Sequence, residues 1–202
     1  MALFEKTLQG IANLDSIMTT ANETYRTERK RIMDTFKDPS QKLGEIRRVL
    51  TETEAEQKQF FREIVKTEFA AVREKVNKVV TAAPPADFTA TLEAIKANGK
   101  ATTEYEAAAF LAKYKDSNYL AFRTLAEVLH QVDRANDVRI IYPDAIMREI
   151  EEIETLVLNW VTNYKGSSYM TALLLNKTNP ITATAAKVEE FLNGKYTLED
   201  AE

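Results

Sequence analysis

A chain of 202 residues, 45% hydrophobic and 29% charged, has the composition of a folded helical protein of one or two domains rather than a disordered one. It contains no cysteine, which excludes disulfides, thiolate catalysis and cysteine-based zinc or iron–sulfur centres. Its net charge of −4 lacks the clustered positive field that phosphate binding needs, so nucleic acid is not an expected partner.

The charge is spread unevenly. Residues 1–83 hold 15 Lys and Arg against 13 Asp and Glu, and residues 84–202 hold 12 against 18, which permits head-to-tail contact between copies. Five Gly and five Pro leave long stretches free of helix breakers.

Apolar residues in the first stretch fall at Phe4, Ile11, Met18, Tyr25 and Ile32, with Leu8, Leu14, Ala21 and Phe36 between them. A seven-residue step keeps one helical stripe facing one partner, and predicts a helix over residues 3–37. Thr7, Glu28 and Thr35 occupy seam positions where a strong zipper would have Leu. Asp38-Pro39-Ser40 breaks the pattern, because proline removes an amide donor and Ser40 can cap the next helix.

A second helix is predicted over residues 40–81. Its stripe starts at Leu43, Ile46 and Leu50, turns polar at Thr53 and Gln57, and resumes at Phe60, Ile64 and Val65 with a shift of phase. A three-residue break between two long amphipathic helices makes an antiparallel hairpin the default. Ala82-Ala83-Pro84-Pro85-Ala86-Asp87 then marks a boundary, since adjacent prolines do not sit inside a helix.

Shorter helices are predicted beyond it. One covers 87–97, capped by Asp87 and stopped at Asn98-Gly99. The next covers 103–115, opened by a Thr103/Glu106 capping box, and a third covers 117–134, capped by Ser117. Val138–Tyr142 reads as an extended, buried linker ending at Pro143. From Asp144, the residues Ile146, Ile150, Ile153, Val157, Trp160 and Tyr164 step by four and three up to Gly166. Two further helices are expected near 167–176 and 182–193, the last ending at Asn193-Gly194.

The expected fold class is therefore all-α: a long antiparallel helical hairpin, coiled-coil-like, over residues 1–83, followed by a compact multi-helix domain over 86–196 and a frayed acidic tail over 197–202. The N-terminus lacks a basic region followed by an apolar run, and the run around Leu173-Leu174-Leu175 is far too short to span a bilayer. A soluble, cytoplasmic protein without a membrane partner is expected.

Candidate chemical sites are sparse. Glu127 and His130 have the Glu-x-x-His spacing of bundle di-iron sites, but such sites need two of these motifs and this chain has one histidine. Glu149, Glu151, Glu152 and Glu154 have the oxygen ligands that hard cations prefer, yet they alternate with the apolar stripe near a helix N-terminus, where a solvated face complements the helix dipole. Tyr105, Phe110, Tyr114, Tyr119 and Phe122 have the spacing of a small helical core. No nucleophile–base arrangement or glycine-rich phosphate loop is present, so no catalytic residue, metal or cofactor is expected.

Association is the remaining theme. Phe60, Phe61, Ile64, Val65, Phe69, Val72 and Val76 make a face wider than one hairpin partner covers. It is the candidate self-association face, to be buried by another copy or by the C-terminal helices. Arg26, Arg29, Lys30 and Arg31 are candidate contacts for an acidic partner, beside Glu23, Glu28 and Asp34, which allow pairing within the helix instead.

The stretch Tyr105–Val132, with Lys-Tyr-Lys-Asp-Ser-Asn-Tyr ahead of an amphipathic helix, joins the absence of cysteine, the acidity and the coiled-coil-like portion. In this overall organisation the chain resembles the small helical structural and scaffold-type proteins of bacteriophages and prophages. That resemblance implies a non-enzymatic structural or assembly protein that self-associates. The alternative is a helical adaptor that binds a protein partner through its C-terminal domain.

Overall fold

The two amphipathic stripes become α1 (Glu5–Thr35) and α2 (Ser40–Val80) in the computed structural model of the chain, which describes residues 3–164, 169–176 and 178–198. They fold back on each other as an antiparallel hairpin. The turn is set by Asp38, whose carboxylate accepts from the Ser40 amide at 3.2 Å and the Ser40 hydroxyl at 2.5 Å. These bonds hold its carboxyl below the usual aspartate range.

Among the described residues, six shorter α-helices come after the hairpin: α3 (Phe88–Asn98), α4 (Glu104–Tyr114), α5 (Tyr119–Gln131), α6 (Pro143–Asn163), α7 (Tyr169–Leu175) and α8 (Pro180–Leu192). No strand occurs among the described residues, only an antiparallel bridge between Ile140 and Thr197. The fold is all-α.

The helices divide into two compact units, one of Met1–Ala70 with Glu151–Ala185 and the other of Ala71–Ile150 with Ala186–Glu202. The division falls inside α2, α6 and α8 rather than at Pro84-Pro85. A proline pair interrupts backbone hydrogen bonding, but it does not decide which side chains share a core. The stop expected at Gly166 lies outside the described residues.

In the first unit, the open amides at the start of α1 are met from across the hairpin. Glu68 of α2 accepts from the Lys6 amide at 3.1 Å, and from the Thr7 amide and hydroxyl at 2.7 Å each. Phe4 precedes α1 in a left-handed conformation (φ 61°), a geometry costing a non-glycine residue about 1–2 kcal/mol. Burial and stacking on Phe69, with ring centroids 4.4 Å apart, offset that strain.

The last turns of α6, with α7, form a third layer on this end of the hairpin. Trp160 meets Phe61 edge-on at 6.1 Å and donates its indole N–H to the Thr171 hydroxyl at 3.1 Å. Tyr164 donates to Asp15 at 2.5 Å, Lys58 donates to the Tyr164 carbonyl at 2.8 Å, and Arg62 to the Thr162 hydroxyl at 2.9 Å. Gly10 makes the approach possible: a Cβ there would sit 2.2 Å from the Phe61 ring.

The second unit is built around aromatics. Tyr119 packs against Phe191 at 5.3 Å and Tyr196 at 5.2 Å, and Tyr196 also meets Phe122 at 6.1 Å. The Thr103/Glu106 capping box forms as expected. Ser117 does not cap α5. Asn118 does, accepting from the Ala121 amide at 2.8 Å while donating to the Ala82 and Ala83 carbonyls at 3.3 and 3.0 Å. One amide side chain thus caps a helix and satisfies the backbone ahead of the prolines.

Asp87 makes no cap hydrogen bond either. Its carboxylate binds Lys113, which holds it below the usual range. Of the tail expected to fray over 197–202, Leu198 is tied down, its amide donating to the Arg139 carbonyl at 2.9 Å, while the Ile141 amide donates to the Tyr196 carbonyl at 2.8 Å; residues 199–202 lie outside the described residues. The segment 138–142, read as a linker, finds its backbone partner there. Gly194 (φ 98°) makes the turn before it, with the Asp116 backbone 3.0 Å from where a Cβ would be.

Candidate functional site

The first unit treats the two ends of its hairpin differently. Towards the chain terminus, Phe4, Ile11, Leu14, Met18, Phe61, Val65 and Phe69 are buried. Between residues 19 and 60, Ile32 alone is. The seam continues in sequence but is not covered: Ala21, Tyr25, Ile46 and Leu50 are only half-buried. They line an open groove of about 620 Å³ between α1 and α2, rimmed by Thr24, Glu28 and Arg31 on one helix and Lys42, Glu45 and Val49 on the other. Val49 is 50% exposed.

The sequence-predicted face lies mostly elsewhere. Phe61, Val65, Phe69, Val72 and Val76 are buried within the chain, Ile64 is half-buried, and only Phe60 stands out, at 66% exposure. In the first unit the cover is α6 and α7, so that part of the face is spent inside the protein. What sequence reasoning missed is the surface left open further along α2. Its signal was the repeat Lys42, Val49, Glu56, three exposed residues at heptad spacing beside the polar break at Thr53 and Gln57.

The basic group divides. Arg31 pairs with Glu28 at 2.8 Å, at the edge of the groove. Arg26, Arg29 and Lys30 are exposed on another side of α1, clustered with Met33, and make no ion pair among the described residues.

The spacings weighed for metal chemistry do not converge. Glu127 accepts from Arg123 at 2.7 Å, while His130 Nε2 lies 3.2 Å from the Val138 carbonyl. Glu149 pairs with Lys187 at 2.8 Å. Among the described residues, no group of three or more His, Asp or Glu is placed to hold a metal ion, and no helix is long and apolar enough to cross a membrane. Of the aromatic group, Tyr114, Tyr119 and Phe122 are core residues, Phe110 is half-buried and Tyr105 is exposed.

The displaced titrations belong to buried phenols. Burial pushes Tyr119 up to about 12 and raises Tyr196. Tyr164 is raised furthest, by burial and by the Asp15 carboxylate that accepts its hydrogen bond. Each is a neutral core group rather than a poised acid.

A second open groove, of about 450 Å³, lies in the second unit. Ile141, Tyr142, Ile146 and Leu198 line it, with Lys187 and Lys195 at its edge. Compared with known proteins, the chain matches no family model, no curated protein and no solved structure.

Proposed function

We propose that the chain is a non-enzymatic structural or assembly protein that self-associates through its long amphipathic helices, of the phage and prophage structural type. The observation that supports this reading is the uncovered half of the hairpin. Two helices alone bury only a narrow stripe, and helices of this length draw most of their stability from packing an apolar face. Here the stripe is covered by the chain's own α6 and α7 at one end and left open at the other.

The side chains favour a non-enzyme. The only histidine is engaged with a backbone carbonyl, and Glu127 with Arg123. A cytoplasmic location fits the absence of cysteine. Light scattering of the full chain across micromolar concentrations tests the proposal: a dimer or larger species supports it, and a strict monomer throughout removes it. Flanking capsid or portal genes would bear out the phage type, and flanking genes of another process would count against it.

The groove in the second unit favours a second reading, an adaptor that binds a protein partner. It is apolar and open, with Tyr142 and Leu198 about half exposed at its edge. Leu198→Asp should then release a specific protein that the unaltered chain retains, and unchanged retention would count against the groove.

A further inference from the structure

The open half of α2 carries a self-complementary charge pattern. Lys42, Val49 and Glu56 are all exposed and lie seven residues apart, so they share one side of the helix with only a slow drift around it. Val49 is the apolar centre of the groove rim. A cation stands one heptad before it and an anion one heptad after, each about 10 Å away along the axis. Glu56 has no ion-pair partner among the described residues. The Lys42 ammonium lies over the Phe36 ring, 3.6 Å from its centroid, and forms no salt bridge among the described residues.

A two-fold axis through Val49 maps residue 42 onto residue 56 of a second copy. We propose that two hairpins pair face to face and antiparallel about that axis, Val49 against Val49, with Lys42 of each copy against Glu56 of the other. The inference rests on the self-association reading and supplies its register and partner.

Charge complementarity selects the occupant. A ligand of one sign would be attracted to one end of this face and repelled at the other, whereas an inverted second copy matches both ends at once. The remaining charges on the face do not oppose it. Glu52 is held by Arg48 on its own helix at 2.9 Å, and inversion places Glu45 opposite Thr53 rather than another carboxylate. Closing the groove also covers Tyr25, Ile46 and Leu50, the seam residues the chain itself leaves half-buried.

The test is charge reversal followed by mixing, read by sedimentation equilibrium of the full chain at low salt. Lys42→Glu alone and Glu56→Lys alone each turn two attractions per dimer into two repulsions, and should weaken the dimer about tenfold. An equimolar mixture of the two variants restores both attractions, and should return the dimer constant to within about twofold of the unaltered chain. Both sites are exposed, and unchanged helix content by circular dichroism confirms that the variants fold. Lys42→Glu also loses the contact with Phe36, so Glu56→Lys and the mixture decide.

An unaltered chain that is monomeric overturns self-association itself. A dimer that neither reversal weakens, or that mixing does not restore, overturns this register and leaves self-association standing. Weakening by each variant with recovery on mixing supports it.

Discussion

Replacing Glu68 with alanine should destabilise the protein far more than its place on the outside of a long helix suggests. The carboxylate accepts three hydrogen bonds, from the Lys6 amide, the Thr7 amide and the Thr7 hydroxyl. Thr7 is fully buried, so two of those donors lose their partner where water does not readily replace it. An abandoned buried donor costs about 1–3 kcal/mol, and losing an anion at a helix N-terminus adds about 0.3–1 kcal/mol. The Lys6 amide is exposed and can turn to water.

With both donors and the anion counted at the low end of these ranges, the expected loss is at least about 2 kcal/mol, read as a lower urea midpoint at unchanged slope. Glu68→Gln keeps an acceptor and should lose roughly half as much. Glu63→Ala is the control: Glu63 is exposed and its pair with Lys66 is 3.8 Å long, so it should stay within about 0.5 kcal/mol of the original. If Glu68→Ala unfolds together with Glu63→Ala, the carboxylate does not hold α1 in place and the reasoning fails.

Two glycines should respond in opposite directions. Gly44 has open space where a Cβ would go, so Gly44→Ala should raise stability by about 0.5–1 kcal/mol in thermal unfolding. Gly10→Ala drives a Cβ into the buried Phe61 ring and should lower it, the overpacking cost of about 1–3 kcal/mol exceeding the helix gain. Asn118→Ala removes both the α5 cap and the bonds to Ala82 and Ala83, and should cost about 1–3 kcal/mol by urea titration. An unchanged midpoint would contradict that role.

Stability should also fall at alkaline pH. The folded chain holds Tyr119, Tyr164 and Tyr196 neutral above the usual phenol range, so it binds more protons than the unfolded chain once pH passes about 10. Their contribution is complete below pH 10 and drains as pH rises towards 12. Urea midpoints should decline across that window, and Tyr164→Phe should flatten the decline; an identical slope in that variant would count against the assignment.

Helix periods and breakers were legible in the sequence because they are local. The heptads of α1, the Asp38-Pro39-Ser40 turn and the Thr103/Glu106 box each depend on neighbours within a few residues. The demand of the Phe60–Val76 face for a further layer was also legible. What supplies part of that layer was not, because Phe61 meets Trp160 across about a hundred residues of chain. Glu68 escaped notice for the same reason, since it caps a helix that begins more than sixty residues earlier.

The caps at Ser117 and Asp87 show the opposite limit. Both have cap-forming side chains, yet Asn118 takes the first role by also reaching the Ala82 and Ala83 carbonyls, and Lys113 draws off Asp87. The groove is open because no further helix among the described residues packs over it, and a single-helix pattern does not display that.

The most direct measurement of association through the open half of the hairpin uses the absence of cysteine. Val49→Cys gives one thiol at the centre of the open face, and Arg29→Cys gives one on the other side of α1. With a short bis-maleimide at micromolar protein, Val49→Cys should give rapid covalent dimer and Arg29→Cys little. Equal rates, or monomer from both, would contradict it.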